Sequence, residues 1–280
     1  MRSFFSTPPK SRQRGTVSIE MLMALFPLLL TFFGVLQLSL FQLAHLVVQH
    51  AAFRAARAAV VVLDDDPKYY DGAPAGDLTA GTAETDSGFL AKTREAANDL
   101  ANRYRSLTGD EKSSGGARLQ EIRAAAYHPL AVLAPPPSGY LRKATDLKTE
   151  LGGTTWARMV LGAQVYNKGA AVVTLHLPGD DVALQKVSQP RQFIEVRVSY
   201  LLRCGVPLVS ALMCRSGASI LAARMGLSFD EETKEISQRL RAAQSPLLRD
   251  TLLATGGRFI MLGASATLPA QGASYHKGGP

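Results

Sequence analysis

Between Met21 and Val48 the chain reads MLMALFPLLLTFFGVLQLSLFQLAHLVV, a run of 28 residues without one Asp, Glu, Lys or Arg. As a helix rising ~1.5 Å per residue it would extend about 42 Å, more than the ~30 Å hydrocarbon core of a bilayer. A core helix of that length with no charge is out of place in a small soluble domain, so the sequence predicts a membrane-spanning helix. The competing reading is a secretory signal peptide, for which Ala56 and Ala58 supply an Ala-x-Ala pattern. Against it, such signals use an apolar core of only ~7–15 residues.

The flanks set the orientation. Residues 1–15 contain Arg2, Lys10, Arg12 and Arg14 and no acid, whereas Arg54 and Arg57 beyond the run are soon answered by Asp64, Asp65 and Asp66. The positive-inside bias places the N-terminus in the cytoplasm of a bacterial cell and residues 64–280 on the periplasmic side of a single inner-membrane span. The leader also explains half of the net charge of +8, since removing its four cations leaves about +4 (8 minus 4). The other Lys and Arg are dispersed among acids, with no basic block and no aromatic interleaving, so nucleic acid is not an expected partner.

The helical pattern continues through Gln49–Leu63, QHAAFRAARAAVVVL, which lacks Gly and Pro and is rich in Ala. At 100° per residue Ser39, Gln42, Gln49, His50 and Arg57 share one side, and Ala51, Ala52, Ala55 and Ala59 the other. Small residues at i and i+4 permit close approach of another helix. Two readings stand: a stalk resting on its own soluble domain, or a face for packing with other subunits. Pro27 removes one backbone hydrogen bond within the span and predicts a loosened turn there.

Before the run stands Arg14-Gly15-Thr16-Val17-Ser18-Ile19-Glu20. Gly15 is small and flexible enough to lie extended in a protease groove at the cytoplasmic membrane face. Glu20 is the one acid at the membrane end of an apolar helix, where a carboxylate is costly unless it sits near headgroups or is paired. Cutting after Gly15 would make Thr16 the N-terminus and Glu20 the fifth residue, placed to meet the free amine of a neighbouring subunit. The plainer reading of Glu20 is an interfacial acid near a helix N-terminus, which the helix dipole favours.

Arg14-Gly15, Glu20, Pro27 among apolar residues, Gly34, and the Ala/Arg-rich exit from Ala51 to Ala58 together resemble the N-terminal signature of TadE-like pseudopilins of the tight-adherence (Flp) pilus system. The resemblance covers about fifty residues. It implies cleavage by a prepilin peptidase after Gly15 and work as a minor pseudopilin in biogenesis of a type IV (Flp/Tad-type) pilus. Its partners would be the membrane, other pilin or TadE-like subunits and the pilus assembly platform. Assembly would use Glu20, Pro27, Ala51, Ala55, Arg57 and Ala59. A different class of function is an envelope-anchored periplasmic binding or adhesion protein that uses residues 1–63 only as a tether.

The remainder predicts an α+β fold, a long transmembrane and stalk helix followed by a pseudopilin-like periplasmic domain with a small antiparallel sheet. Residues 1–15 are read as the leader, 16–63 as the helix, 64–87 as a Gly/Asp/Thr-rich linker, 88–268 as the domain and 269–280 as a disordered tail. Phe89–Leu107 and Ala117–Tyr127 have helical spacing, the latter ending near Pro129, and residues 134–138 form a Pro-rich spacer. Val173, Leu175 and Leu177 alternate before a Pro-Gly turn, and Phe193–Leu202 and Arg258–Leu268 read as strands. Val206–Met225 is apolar, but Arg215 in its middle argues for a packed soluble helix or hairpin. Ser228 or Asp230 is placed to cap the helix EETKEISQRLRAAQ.

Neither Cys204 nor Cys214 belongs to a C-x-x-C pair. They could form a local disulfide if residues 205–213 turn back on themselves, or be two half-buried small apolar side chains. Asp64–Asp66 lacks the alternating ligands of an EF-hand loop and reads as a solvated turn. The five histidines share no ligand spacing, and there is no G-x-S-x-G, H-E-x-x-H, phosphate loop or G-x-G-x-x-G. No enzyme activity, metal or cofactor is therefore expected.

Overall fold

The computed structural model describes residues 16–70, 72–78, 116–136, 155–180, 182–184, 186–187, 193–206, 209–227, 230–244 and 246–269. The first helix, α1 (Thr16–Asp64), is continuous over 49 residues, about 74 Å at 1.5 Å per residue. It runs through Pro27 without a break, losing only the one hydrogen bond that proline cannot donate. Pro67 stops it, and Asp66 accepts a bond from the Lys68 amide to cap the 3-10 turn Pro67–Tyr69.

The other elements are α2 (Ala117–Leu130), α3 (Thr155–Ala170), β1 (Ala171–His176), β2 (Phe193–Arg203), α4 (Val209–Met213), β3 (Arg215–Ser216), α5 (Gly217–Arg224), α6 (Glu231–Arg239), α7 (Pro246–Ala254) and β4 (Arg258–Pro269). All four strands form one antiparallel sheet in the order β1-β2-β4-β3. The molecule is α+β, a long helix followed by helices and a small antiparallel sheet, as the sequence predicts.

Alternation in the central strand decides which face α1 covers. Ile194, Val196, Val198 and Tyr200 of β2 are buried and pair with Leu268, Ala266, Ala264 and Leu262 of β4. Together these make the apolar face on which α1 lies. Glu195, Arg197 and Ser199 point the other way with Thr267, Ser265 and Gly263 opposite them, and are half-exposed or exposed. Nearer the Arg203 end the second face becomes apolar. There Leu201 and Phe259 join Ile220, Ile236, Leu240 and Leu253 in the buried cluster.

The sheet has a defined direction relative to α1. The Leu63 carbonyl accepts from the Gly76 amide at 2.9 Å, the Gly76 carbonyl from Val187 at 2.8 Å, and the Leu175 carbonyl from Leu184 at 2.7 Å. These bonds hold the His176 end of β1 beside the C-terminus of α1. The opposite end, where Arg203 pairs with Phe259, points back along α1 toward its N-terminal half. Two glycines permit close approaches. A Cβ on Gly76, whose φ is +76°, would collide with the Val187 carbonyl, and one on Gly217 with that of Leu253.

Elsewhere sequence and structure match with adjusted ends. The second expected helix is α2, with Pro129 in its last turn. The three expected strands are β1, β2 and β4. Val206–Met225 contains two short helices divided by β3. Asp230 is the N-cap residue of α6, its carboxylate receiving the Thr233 hydroxyl. Residues 64–78, expected to begin a linker, fold against the helix end and bury Tyr70, Ala73 and Leu78. The Phe89–Leu107 helix, the rest of the linker and the tail beyond Pro269 lie outside the described residues.

Candidate functional site: the N-terminal helix and its seat

Gly15 lies outside the described residues, and the described part of α1 runs from Thr16. Glu20 is exposed and has no ion pair with any described residue. Around it and above it the helix presents apolar side chains to every side: Met21 is 69% exposed, Leu22 67%, Phe26 59% and Leu28 62%. This part of α1 contains an 18-residue window with mean hydropathy 2.2 and none of it buried. Such a window is about 27 Å long, close to the ~30 Å hydrocarbon thickness.

One turn further on the environment changes on one side. Gln37, Phe41, Ala44, Val48, Ala51, Ala52, Ala55, Ala56, Ala59, Val62 and Leu63 are all buried, at spacings of three and four that trace one stripe. Ala51, Ala55 and Ala59 are 0% exposed because the chain's own sheet and α2 cover them. That is the arrangement of the resting-stalk reading. The methyl side chains permit close approach to β4, whose Ala264 and Ala266 pack against the same core. Arg57 stands on the opposite side, exposed, with its guanidinium 5.7 Å from the Phe53 ring centroid.

Residue-by-residue reading missed the group that fastens the seat. Arg118, in the first turn of α2, is 0% exposed. Its guanidinium donates to the carbonyls of Val62, Asp65 and Ala73, the last two at 3.0 Å. It also lies 4.4 Å over the Tyr70 ring. The last turn of α1 carries no basic residue of its own and is followed by Asp65 and Asp66, the wrong sign for the negative end of a helix dipole. Arg118 supplies the missing cation from another element and satisfies carbonyls that the helix end leaves open. The available signal was its placement, because a cation in the first turn of a helix is unfavourable unless it serves something else.

Burial dominates the electrostatics here. It holds the Arg118 guanidinium below its ordinary pKa, against the pull of Tyr70 and the Asp cluster. It raises the Asp64 carboxyl, with Arg118 opposing. The Tyr70 hydroxyl donates to Asp65 Oδ2 at 3.0 Å, and burial with this bond pushes its pKa up to about 12. The expected solvated Asp turn is thus a knot of local bonds around a buried cation, and no three His, Cys, Asp or Glu side chains converge among the described residues.

At the other end of the sheet Cys204 and Cys214 are joined by a disulfide with Cα atoms 6.6 Å apart. The helix between them is only Val209–Met213, so the chain can turn back as a bridge of this reach requires. Arg258 donates to the carbonyls of Ala211 and Cys214, bracing the same turn.

The comparison with known families falls on the helix. No curated protein and no solved structure matches the chain. A family model described as TadE-like protein matches residues 15–57. That span ends at Arg57 and takes in Glu20, Pro27, the exposed apolar half and most of the Ala stripe. Over residues 15–57 the N-terminal helix is similar to that of TadE-like proteins.

Proposed function

We propose that this chain is a minor pseudopilin in the biogenesis of an Flp/Tad-type pilus, stored in the inner membrane with its α+β head in the periplasm. A prepilin peptidase cuts after Gly15, and α1 then packs with other pilin or TadE-like subunits on the assembly platform. The observation that carries this reading is Glu20. The family match starts at residue 15, and Glu20 stands exposed five residues on in an apolar helix, with no ion pair to any described residue. A carboxylate in that place is stabilised when it meets the new α-amine of a neighbour. The role is structural, and no catalytic step is assigned to the chain.

Intact mass and N-terminal sequencing of the chain purified from membranes test it. The expected product begins at Thr16, and Gly15→Asp abolishes it. A product that retains Met1 in cells with an active pilus system refutes cleavage. Glu20→Ala should still be cut yet lose crosslinks to partner subunits. The tether reading gains one point from the Ala stripe, which the chain's own head occupies. It requires Glu20→Ala to behave as wild type in both assays.

A further inference from the structure

The sequence between the two cysteines, GVPLVSALM, carries no charge. Its described helical part, α4, packs against α1 and buries Val209, but leaves Leu212 72% exposed and Met213 37% exposed, with Ala211 exposed beside them. Two adjacent large apolar side chains held open on a disulfide-closed turn call for a partner surface.

Its position identifies that surface. The Arg203/Phe259 end of the sheet, from which this turn projects, points back along α1 toward the N-terminal half. Contact between α4 and α1 falls within the covered length, which begins at Gln37, and the direction of the sheet sets it toward the lower part of that length, where Leu38, Leu40, Leu43 and Leu46 still stand exposed on the open side of α1. The turn is thus placed beside the outer part of the apolar run. At its rim Arg258 is exposed, holds the Ala211 and Cys214 carbonyls at 3.3 and 3.4 Å, and faces no carboxylate among the described residues. Arg215, on the strand just beyond the disulfide, is by contrast already paired with Glu232 at 2.6 Å. Apolar side chains flanked by a cation are the composition that settles at a headgroup–acyl boundary.

We propose that the Cys204–Cys214 turn is a second membrane contact, with Leu212 and Met213 inserted at the interface of the outer leaflet and Arg258 among the lipid phosphates. This rests on the reading that α1 spans the bilayer. The head then has two points of support, the helix and this turn, which fixes its tilt over the membrane. Disulfide closure keeps the turn folded back on itself, so Leu212 and Met213 are presented together.

The test uses the full chain in lipid vesicles of mixed phosphatidylethanolamine and phosphatidylglycerol, with Trp156→Phe as background and one new tryptophan per variant. Leu212→Trp and Met213→Trp should be quenched by lipids brominated near the headgroup more than by lipids brominated near the bilayer centre. Val182→Trp, exposed near the opposite end of the sheet, should not be quenched. Leu29→Trp reports on the span itself. Quenching of Leu29→Trp with none at Leu212→Trp or Met213→Trp overturns the second contact and leaves the span standing, which is the result expected if this turn instead docks a protein. No quenching at Leu29→Trp overturns the span and the proposal with it.

Discussion

Replacing Arg118 by Met removes the cation while keeping an unbranched side chain of similar reach. Two buried carbonyls, Val62 and Ala73, and one half-buried, Asp65, then lose their donor. An unsatisfied buried acceptor costs ~1–3 kcal/mol, so the two buried ones alone represent ~2–6 kcal/mol. Against this, the variant no longer buries a guanidinium, whose depressed pKa reports a real desolvation cost, and Met retains contact with Tyr70. Breaking one side of a buried charged network typically costs ~3–5 kcal/mol after such offsets, and about 3 kcal/mol is expected here. For a domain of this size 1 kcal/mol corresponds to ~2–4 °C in Tm, giving a fall of ~6–12 °C. Near-UV circular dichroism of the full chain in detergent measures it, since the head holds the packed aromatic residues Tyr70, Tyr127, Tyr166 and Tyr200. Arg118→Lys, which keeps the charge but not the fork, should recover only part of the loss. Amide exchange at Gly76, whose N–H is held by Leu63, should accelerate in Arg118→Met before the rest of the head. A Tm within about 2 °C of wild type, with unchanged exchange at Gly76, refutes the account of Arg118 as the fastening of the seat.

Ala55→Leu adds three carbons to a position with no exposure between α1 and the sheet, and should destabilise the head by ~1–3 kcal/mol in urea unfolding, while the same change at exposed Arg57 should cost under ~0.5 kcal/mol. Equal effects at both positions contradict the assignment of the Ala stripe to the intramolecular seat. Tyr70 and Tyr127 are both pushed up to about 12 by burial. Each folded pKa is above the unfolded value near 10, so their stabilising contribution is intact below about pH 10 and is lost as pH rises from there to about 12. Urea midpoints at intervals across that window should fall, and Tyr127→Phe should flatten the fall; an unchanged slope in the variant sinks the assignment.

The sequence made different parts of this architecture legible for different physical reasons. The helix was readable because 28 charge-free residues and an Ala-rich continuation satisfy one period and offer no stop before Pro67. The strands β2 and β4 were readable because one face of each is the more buried, which enforces alternation over most of their length, whereas β1 is buried on both faces and was marked by its β-branched run before the Pro-Gly turn. The function of the Ala stripe was not, because small residues at i and i+4 look the same whether a sheet or a foreign helix lies on them. Arg118 was hidden for a related reason. Its partners are backbone carbonyls 45 to 56 residues away, and carbonyls leave no mark in side-chain patterns. The disulfide depended on a turn between the cysteines that spacing alone left open. Helix α3 was missed altogether, its sequence being interrupted by Gly162 and Gly169, although the second of these serves close packing against α7.

Cover by the head begins on one face of α1 at Gln37. Below it the helix exposes large apolar side chains, as a helix read to lie in lipid requires. Above it Ala faces the sheet, while Leu38, Leu40, Leu43 and Leu46 stay exposed on the open side and give way to Gln49, His50, Arg54 and Arg57 only beyond Val48. Among the described residues the head's core takes nothing from the lower half, since the buried stripe starts only at Gln37. If the proposed assembly withdraws α1 from the bilayer, the head and the upper helix can move as one rigid piece. What must be replaced is the lipid around roughly the first twenty residues of the helix. At ~25 cal/mol per Å² that exposed apolar surface is far too costly to leave in water. Withdrawal and packing against neighbouring helices therefore have to be a single coupled step, with Glu20 reaching its partner only when the lipid has been exchanged for protein.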